Sequence, residues 1–253
     1  MRQASIFAIS LLTSLCLAAP TVQAVQSTSL HVAFTPKHLG TATTVALSIQ
    51  IAAPHGRIPP PLTGLEVRYP GNLGVAVSGL GLSTCPQTKL EAFGVEGCPT
   101  DSRIGLGSAL AEIQIGPEIE YETAEVTIIH APEQNGEFAL LFYANAESPV
   151  SAQLVIPGQL DQTLSGGRIH LDIPLVPSLP GAPNVAIIQL HATIGPRGLT
   201  YYEHIHGKII PYHPRGVLLP DRCPRGGFLF TATFGFLDGT HASAHTTVSC
   251  PKH

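Results

Sequence analysis

The sequence predicts an all-β fold: an antiparallel β-sandwich, one large or two closely packed, stabilised by disulfides. Three observations predict it. Apolar residues recur with period two along many short runs, and nowhere with the sustained 3.6-residue period of an amphipathic helix. Gly (25) and Pro (23) are frequent in the 253-residue chain and interrupt those runs often, as turns between short strands do. The cysteines bracket short Gly/Pro-containing segments, an arrangement that suits loops closed by disulfides in an oxidising compartment.

Residues 1–24 read as a secretory leader. Arg2 supplies the positive start, residues 6–19 are an apolar run, and Val22-Gln23-Ala24 is a small-residue cleavage pattern. The run is too short and too rich in Ala and Ser for a membrane span. Residues 25–253 are therefore expected as one secreted or extracytoplasmic β-sandwich domain with no transmembrane segment, and with a soft joint near 174–184 where prolines concentrate. A lipid anchor on Cys16 fits poorly, because Leu15 stands where that chemistry wants a small residue.

Charge excludes further classes. Charged residues make up 12% of the chain, net charge is −4, and no run of like charge occurs. A nucleic-acid footprint and a polybasic membrane patch are both missing. So low a charge suggests an apolar surface or one covered by a partner, such as a cell-envelope or extracellular protein or glycan.

Taken in order, residues 43–51 alternate as a half-buried strand, with Val45, Leu47, Ile49 and Ile51 on one face. Three prolines make 55–62 a rigid extended link. Strands follow at 65–69 and 73–77, and 88–93 suits a single helical turn. A Gly-rich link then leads into a strand at 108–115. Glu118, Glu120 and Glu122 alternate with Ile119 and Tyr121 before an apolar stretch at 126–129. A carboxylate row of this kind is read as a solvated face, with a calcium site as the lesser reading. Asn135-Gly136 predicts a hairpin into the apolar run 138–143. Further strands are expected at 153–156, 168–173, 185–194 and 201–210, roughly a dozen in all.

The C-terminal segment permits a register. Phe228, Phe230, Phe234 and Phe236 share a face, and Leu237-Asp238-Gly239 is a turn. A two-residue turn would place polar residues against the aromatic face. A three-residue loop ending in a left-handed Gly239 instead pairs Phe234 with Ala242, Ala232 with Ala244 and Phe228 with Val248. In that register His241 and His245 point outward and Cys250 comes within reach of Cys223. Outside the leader there are four cysteines, which allow three connectivities. Local pairing, Cys85–Cys98 and Cys223–Cys250, is the economical choice. Without any Cys-x-x-Cys, structural disulfides are favoured over metal ligation.

Three stretches carry a resemblance: PPPLTGLEV, SGLGLSTC followed by CPTDSRIGLGSALAEI, and the closing C-P-R-G-G-F…F-x-D-G…V-S-C-P. They resemble a group of uncharacterised secreted bacterial proteins of actinobacterial type, over residues 57–115 and 220–251. The resemblance implies a secreted, disulfide-closed β fold and carries no activity. Independently of it, Ser102 is suited to bond nearby backbone, and Gly105 and Gly107 permit close approach of strands.

The sharpest chemical candidate is YYEHIHGKIIPYH. On a continuous strand His204 and His206 share a face, suiting two ligands of one zinc or copper ion, with His213 as a third. Two surface imidazoles need no metal, however, and no cofactor is assigned on this pattern alone. The chain contains neither a Gly-x-Ser-x-Gly elbow nor a His-Glu-x-x-His run. Ser102 with a histidine and Asp172 makes only a generic triad. The absence of Trp removes the usual platform for stacking sugars. The expectation is a non-catalytic structural or binding protein at or beyond the cell envelope, with a metal-binding protein and an unrecognised hydrolase as rivals.

Overall fold

The structure, a computed structural model, describes residues 26–71, 73–74, 79–134, 137–163, 166–178 and 183–251. The segment expected as a leader (with Cys16), most of the 73–77 run, the Asn135-Gly136 pair and residues 179–182 of the expected soft joint lie outside the described residues.

The alternating runs form strands β1 (Ser27–Thr35), β2 (Ala42–Ala52), β3 (Leu62–Pro70), β4 (Arg103–Ile115), β5 (Glu118–Gln134), β6 (Glu137–Ala146), β7 (Ala152–Thr163), β8 (Gly166–Asp172) and β9 (Ala186–Ile194). After these come β10 (Tyr201–Ile205), β11 (Lys208–Tyr212), β12 (Val217–Leu218), β13 (Phe228–Phe236) and β14 (His241–Val248). One antiparallel sheet runs β1-β2-β9-β4-β5-β6-β7-β8-β3-β13-β14, with β12 paired to β2. Its two end strands, β1 and β14, lie against each other. The sheet is therefore a nearly closed barrel.

All-β, antiparallel and disulfide-closed is what the sequence led us to expect; a two-sheet sandwich is not what the topology shows. A sandwich needs the strand path to break into facing sheets. Here β4 and β5, of 13 and 17 residues, carry a ladder that is continuous from Gly105 opposite Ile128 to Ile115 opposite Glu118. Such a long twisted sheet curls upon itself instead. Register shifts in β4, β5 and β13 add local bends. Gly105 and Gly107 do allow close approach: a Cβ on either would run into the carbonyl oxygens of Thr193 and His191 on β9.

The C-terminal hairpin has the anticipated register, with Phe234 opposite Ala242, Ala232 opposite Ala244 and Phe228 opposite Val248. Gly239 takes φ 79° in its loop, and His241 and His245 are exposed. The cysteines pair Cys85–Cys98 and Cys223–Cys250. Strand β1 escaped the sequence reading although Leu30, Val32 and Phe34 alternate in it and are all buried. Phe34 meets Phe228 edge to face at 5.2 Å, filling one side of the interior.

Outside the barrel, helix α1 (Gln87–Phe93) forms where a helical turn was expected. With Cys85–Cys98 and the fully buried Leu90, it covers Ile129, Ala131, Ala139 and Leu141 on the outer face of β5 and β6. Ser102, also fully buried, donates to the Pro99 carbonyl at 2.6 Å. That is the backbone role its sequence position suggested.

Candidate functional site

Residues 201–210 do not make the single strand on which the metal reading depended. The chain turns at His206 and Gly207, whose φ values of 49° and 76° are those of a two-residue type I′ hairpin loop. His206 is thus in the turn, while His204 stays on β10 opposite Ile209. His213 is engaged elsewhere, with its Nδ1 2.9 Å from the Leu199 carbonyl. The hairpin exposes Tyr202, Ile205, Ile209 and Ile210. Among the described residues no group of three or more His, Cys, Asp or Glu side chains is placed to hold a metal ion. That includes Glu118, Glu120 and Glu122, which do not converge.

The more enclosed and more apolar of the clefts lies inside the barrel. An apolar cavity of about 270 Å³ follows the lumen, walled by β2, β9 and every strand from β4 to β8, together with β3. Period-two alternation creates it: on β6, for example, Leu140, Phe142, Ala144 and Ala146 face the cavity, while Leu141 and Tyr143 pack outward beneath α1. Side-chain size varies along the lumen. Near the β5–β6 and β7–β8 connections Phe138, Leu140 and Leu160 crowd the wall. That end is plugged by Leu80, Leu199 and Tyr201. The Tyr201 hydroxyl donates to the Arg103 carbonyl at 2.7 Å and accepts from the Gly81 N–H at 3.0 Å. Toward the β4–β5 and β6–β7 turns the wall is alanine instead: Ala109, Ala111, Ala124, Ala146 and Ala152. These occupy successive ladder positions, Ala109 opposite Ala124, Ala124 opposite Ala146 and Ala146 opposite Ala152.

Glu122 stands among those alanines and lines the cavity. It is 5% exposed. The carboxylate accepts a hydrogen bond from the Val150 N–H, and burial pushes its pKa above the usual carboxylate value, with that bond opposing the shift. Its Oε1 has no hydrogen-bond partner among the described residues. The sequence reading treated Glu118, Glu120 and Glu122 as one solvated face. The structure divides them: Glu118 and Glu120 are exposed at the end of β5, and Glu122 is buried. A signal was present, because the same face continues as Ala124, Val126 and Ile128, so Glu122 heads an apolar stripe.

No family model, curated protein or solved structure matches the chain. What the cavity can do rests on its own chemistry.

The outer wall offers less. Ser48 Oγ lies 2.7 Å from His191 Nδ1 across β2 and β9, and His170 Nε2 lies 3.2 Å from Asp172 Oδ1. Glu66 joins Arg68 and Arg168, and Arg168 also meets Asp161. These pairs sit on open sheet faces, where such contacts contribute little. Ser48, Gln50, Gln189, His191 and Thr193 leave the outside of β2 and β9 polar. On these two strands the inward face is apolar and the outward face polar. Among the described residues no helix is long and apolar enough to cross a membrane.

Proposed function

We propose that this chain is a non-catalytic, extracytoplasmic binding protein that holds a small apolar molecule inside its barrel. The observation that carries the reading is the lumen: a cavity of about 270 Å³ whose wall is almost wholly aliphatic and aromatic. An engineered apolar cavity of roughly 150 Å³ stays dry and takes up benzene, so this one has room for a body about twice that size. A folded chain that only had to be stable would gain from filling such a void, since each lost methyl-sized contact costs on the order of 1 kcal/mol. Here seven alanines line it, Ala144 and Ala192 included. Two disulfides close the outer loops, as suits a protein working outside the cytoplasm.

The test uses a neutral solvatochromic dye. It should bind with one-to-one stoichiometry and a blue-shifted emission, and saturated ten-carbon compounds should displace it. Ala144→Phe, which fills the lumen, should abolish uptake while the far-ultraviolet circular dichroism stays the same. A dye that fails to bind, or binds the filled variant equally well, would remove the proposal.

A further inference from the structure

From the Glu122 end of the lumen we infer the class of ligand: an apolar chain or ring system bearing one hydrogen-bond donor, a hydroxyl or an amine, that seats against the Glu122 carboxyl. The inference rests on the lumen being a binding site and says which way round the ligand lies.

Four observations meet at this residue. Glu122 is 5% exposed, and its Oε1 is unpartnered among the described residues. A buried polar atom left without a partner costs about 1–3 kcal/mol, so its presence calls for something that satisfies it. No ion pair engages the carboxyl among the described residues, so it does not serve as a structural counter-ion. Its other bond, from the Val150 N–H, anchors the group and leaves Oε1 to face a ligand. The neighbouring wall positions are alanines, with Ala111 directly opposite and Ala124 next on the same face, so the wall beside the carboxyl is built of small side chains. Most of the remaining wall, from Phe142 and Leu154 to Leu65 and Ile169, is apolar, but Tyr69 on β3 also lines it and its buried hydroxyl likewise has no partner among the described residues. The Glu122 end favours a donor when the carboxyl is ionised, because an ionised carboxyl accepts only.

Competition against the neutral dye tests this with 1-decanol, decylamine and decyl methyl ether, which share one chain and differ in the donor. For the wild-type protein the alcohol or the amine should bind about tenfold tighter than the ether. In Glu122→Ala that preference should shrink to less than about threefold, with ether affinity unchanged. Glu122→Gln, which keeps an acceptor and loses the charge, separates the two heads: an alcohol retains its advantage and an amine does not. Equal binding of all three compounds to wild type, or a preference that survives Glu122→Ala, overturns the inference and leaves the apolar lumen standing. Failure of all three to displace the dye overturns the binding reading itself.

Discussion

Ala111 stands directly across the β4–β5 ladder from Glu122, and both side chains line the barrel cavity. Ala111→Leu adds three carbons to the cavity wall beside the carboxyl. Binding of a ten-carbon alcohol should weaken at least tenfold, while stability changes by about 1 kcal/mol or less because the new side chain fills a void instead of straining a packed core. Dye competition and thermal unfolding on one sample measure both. Unaltered affinity would place the ligand elsewhere.

Glu122→Gln should stabilise the unliganded protein at neutral pH. Burial raises the Glu122 pKa, so on raising pH the unfolded chain releases this proton before the folded one does. Stability therefore falls as pH rises from the ordinary carboxylate range through the folded value. The glutamine variant lacks that fall and can still accept the Val150 N–H. Urea midpoints at pH 4 and pH 7 should separate the variant from wild type only at the higher value. A variant less stable than wild type at pH 7 would contradict the burial argument.

Tyr69 and Tyr201 are both pushed up to about 12 by burial. Each keeps its proton in the folded state where the unfolded chain gives it up near pH 10, so stability present below pH 10 is lost between pH 10 and 12. Absorbance titration should show Tyr69 and Tyr201 among the late-ionising members of the six tyrosines, with Tyr212 also raised by burial, together with loss of structure. All six titrating as exposed phenols would refute this.

Tyr201→Phe tests the plug. The ring stays buried, but the hydroxyl that ties Arg103 to Gly81 is lost, leaving two backbone groups short of a partner. The expected cost is about 1–3 kcal/mol, read as a lower urea midpoint at unchanged slope. An effect under about 0.5 kcal/mol would mean that the plug is held by packing alone.

Replacing both Cys223 and Cys250 with Ser should destabilise the C-terminal hairpin through the loop of sequence separation 27, at a cost of about 3–4 kcal/mol on the chain-entropy account. The aromatic face of β13 should survive, because Phe228 and Phe234 are fully buried independently of the bridge. A variant with native near-ultraviolet circular dichroism and a lower melting temperature fits; no change in stability does not.

Local pattern was enough for much of this molecule. Period-two alternation in β2, β6 and β13 reports burial on one face whatever the strand packs against. The Asp238-Gly239 turn and the aromatic face together leave one acceptable register for the last hairpin. Cysteine spacing made local pairing the economical choice. The His206-Gly207 turn was legible in principle too, but the alternation of His204 and His206 suggested a continuous strand, and a single left-handed residue separates the two outcomes.

The sequence by itself determined that the chain is all-β and antiparallel, which faces of its strands are apolar, and that local disulfide pairing is the economical one. Those properties follow from neighbours within a few residues or across one turn. Only the tertiary structure decided that the sheet curls into one barrel, that the alanines of β4 to β7 meet around an open lumen, and that Glu122 faces inward while Glu118 and Glu120 lie in solvent. The physical reason is that alternation says which residues share a face but not what lies opposite that face. A carboxylate on it is solvated or buried according to how far along the strand the barrel wall extends.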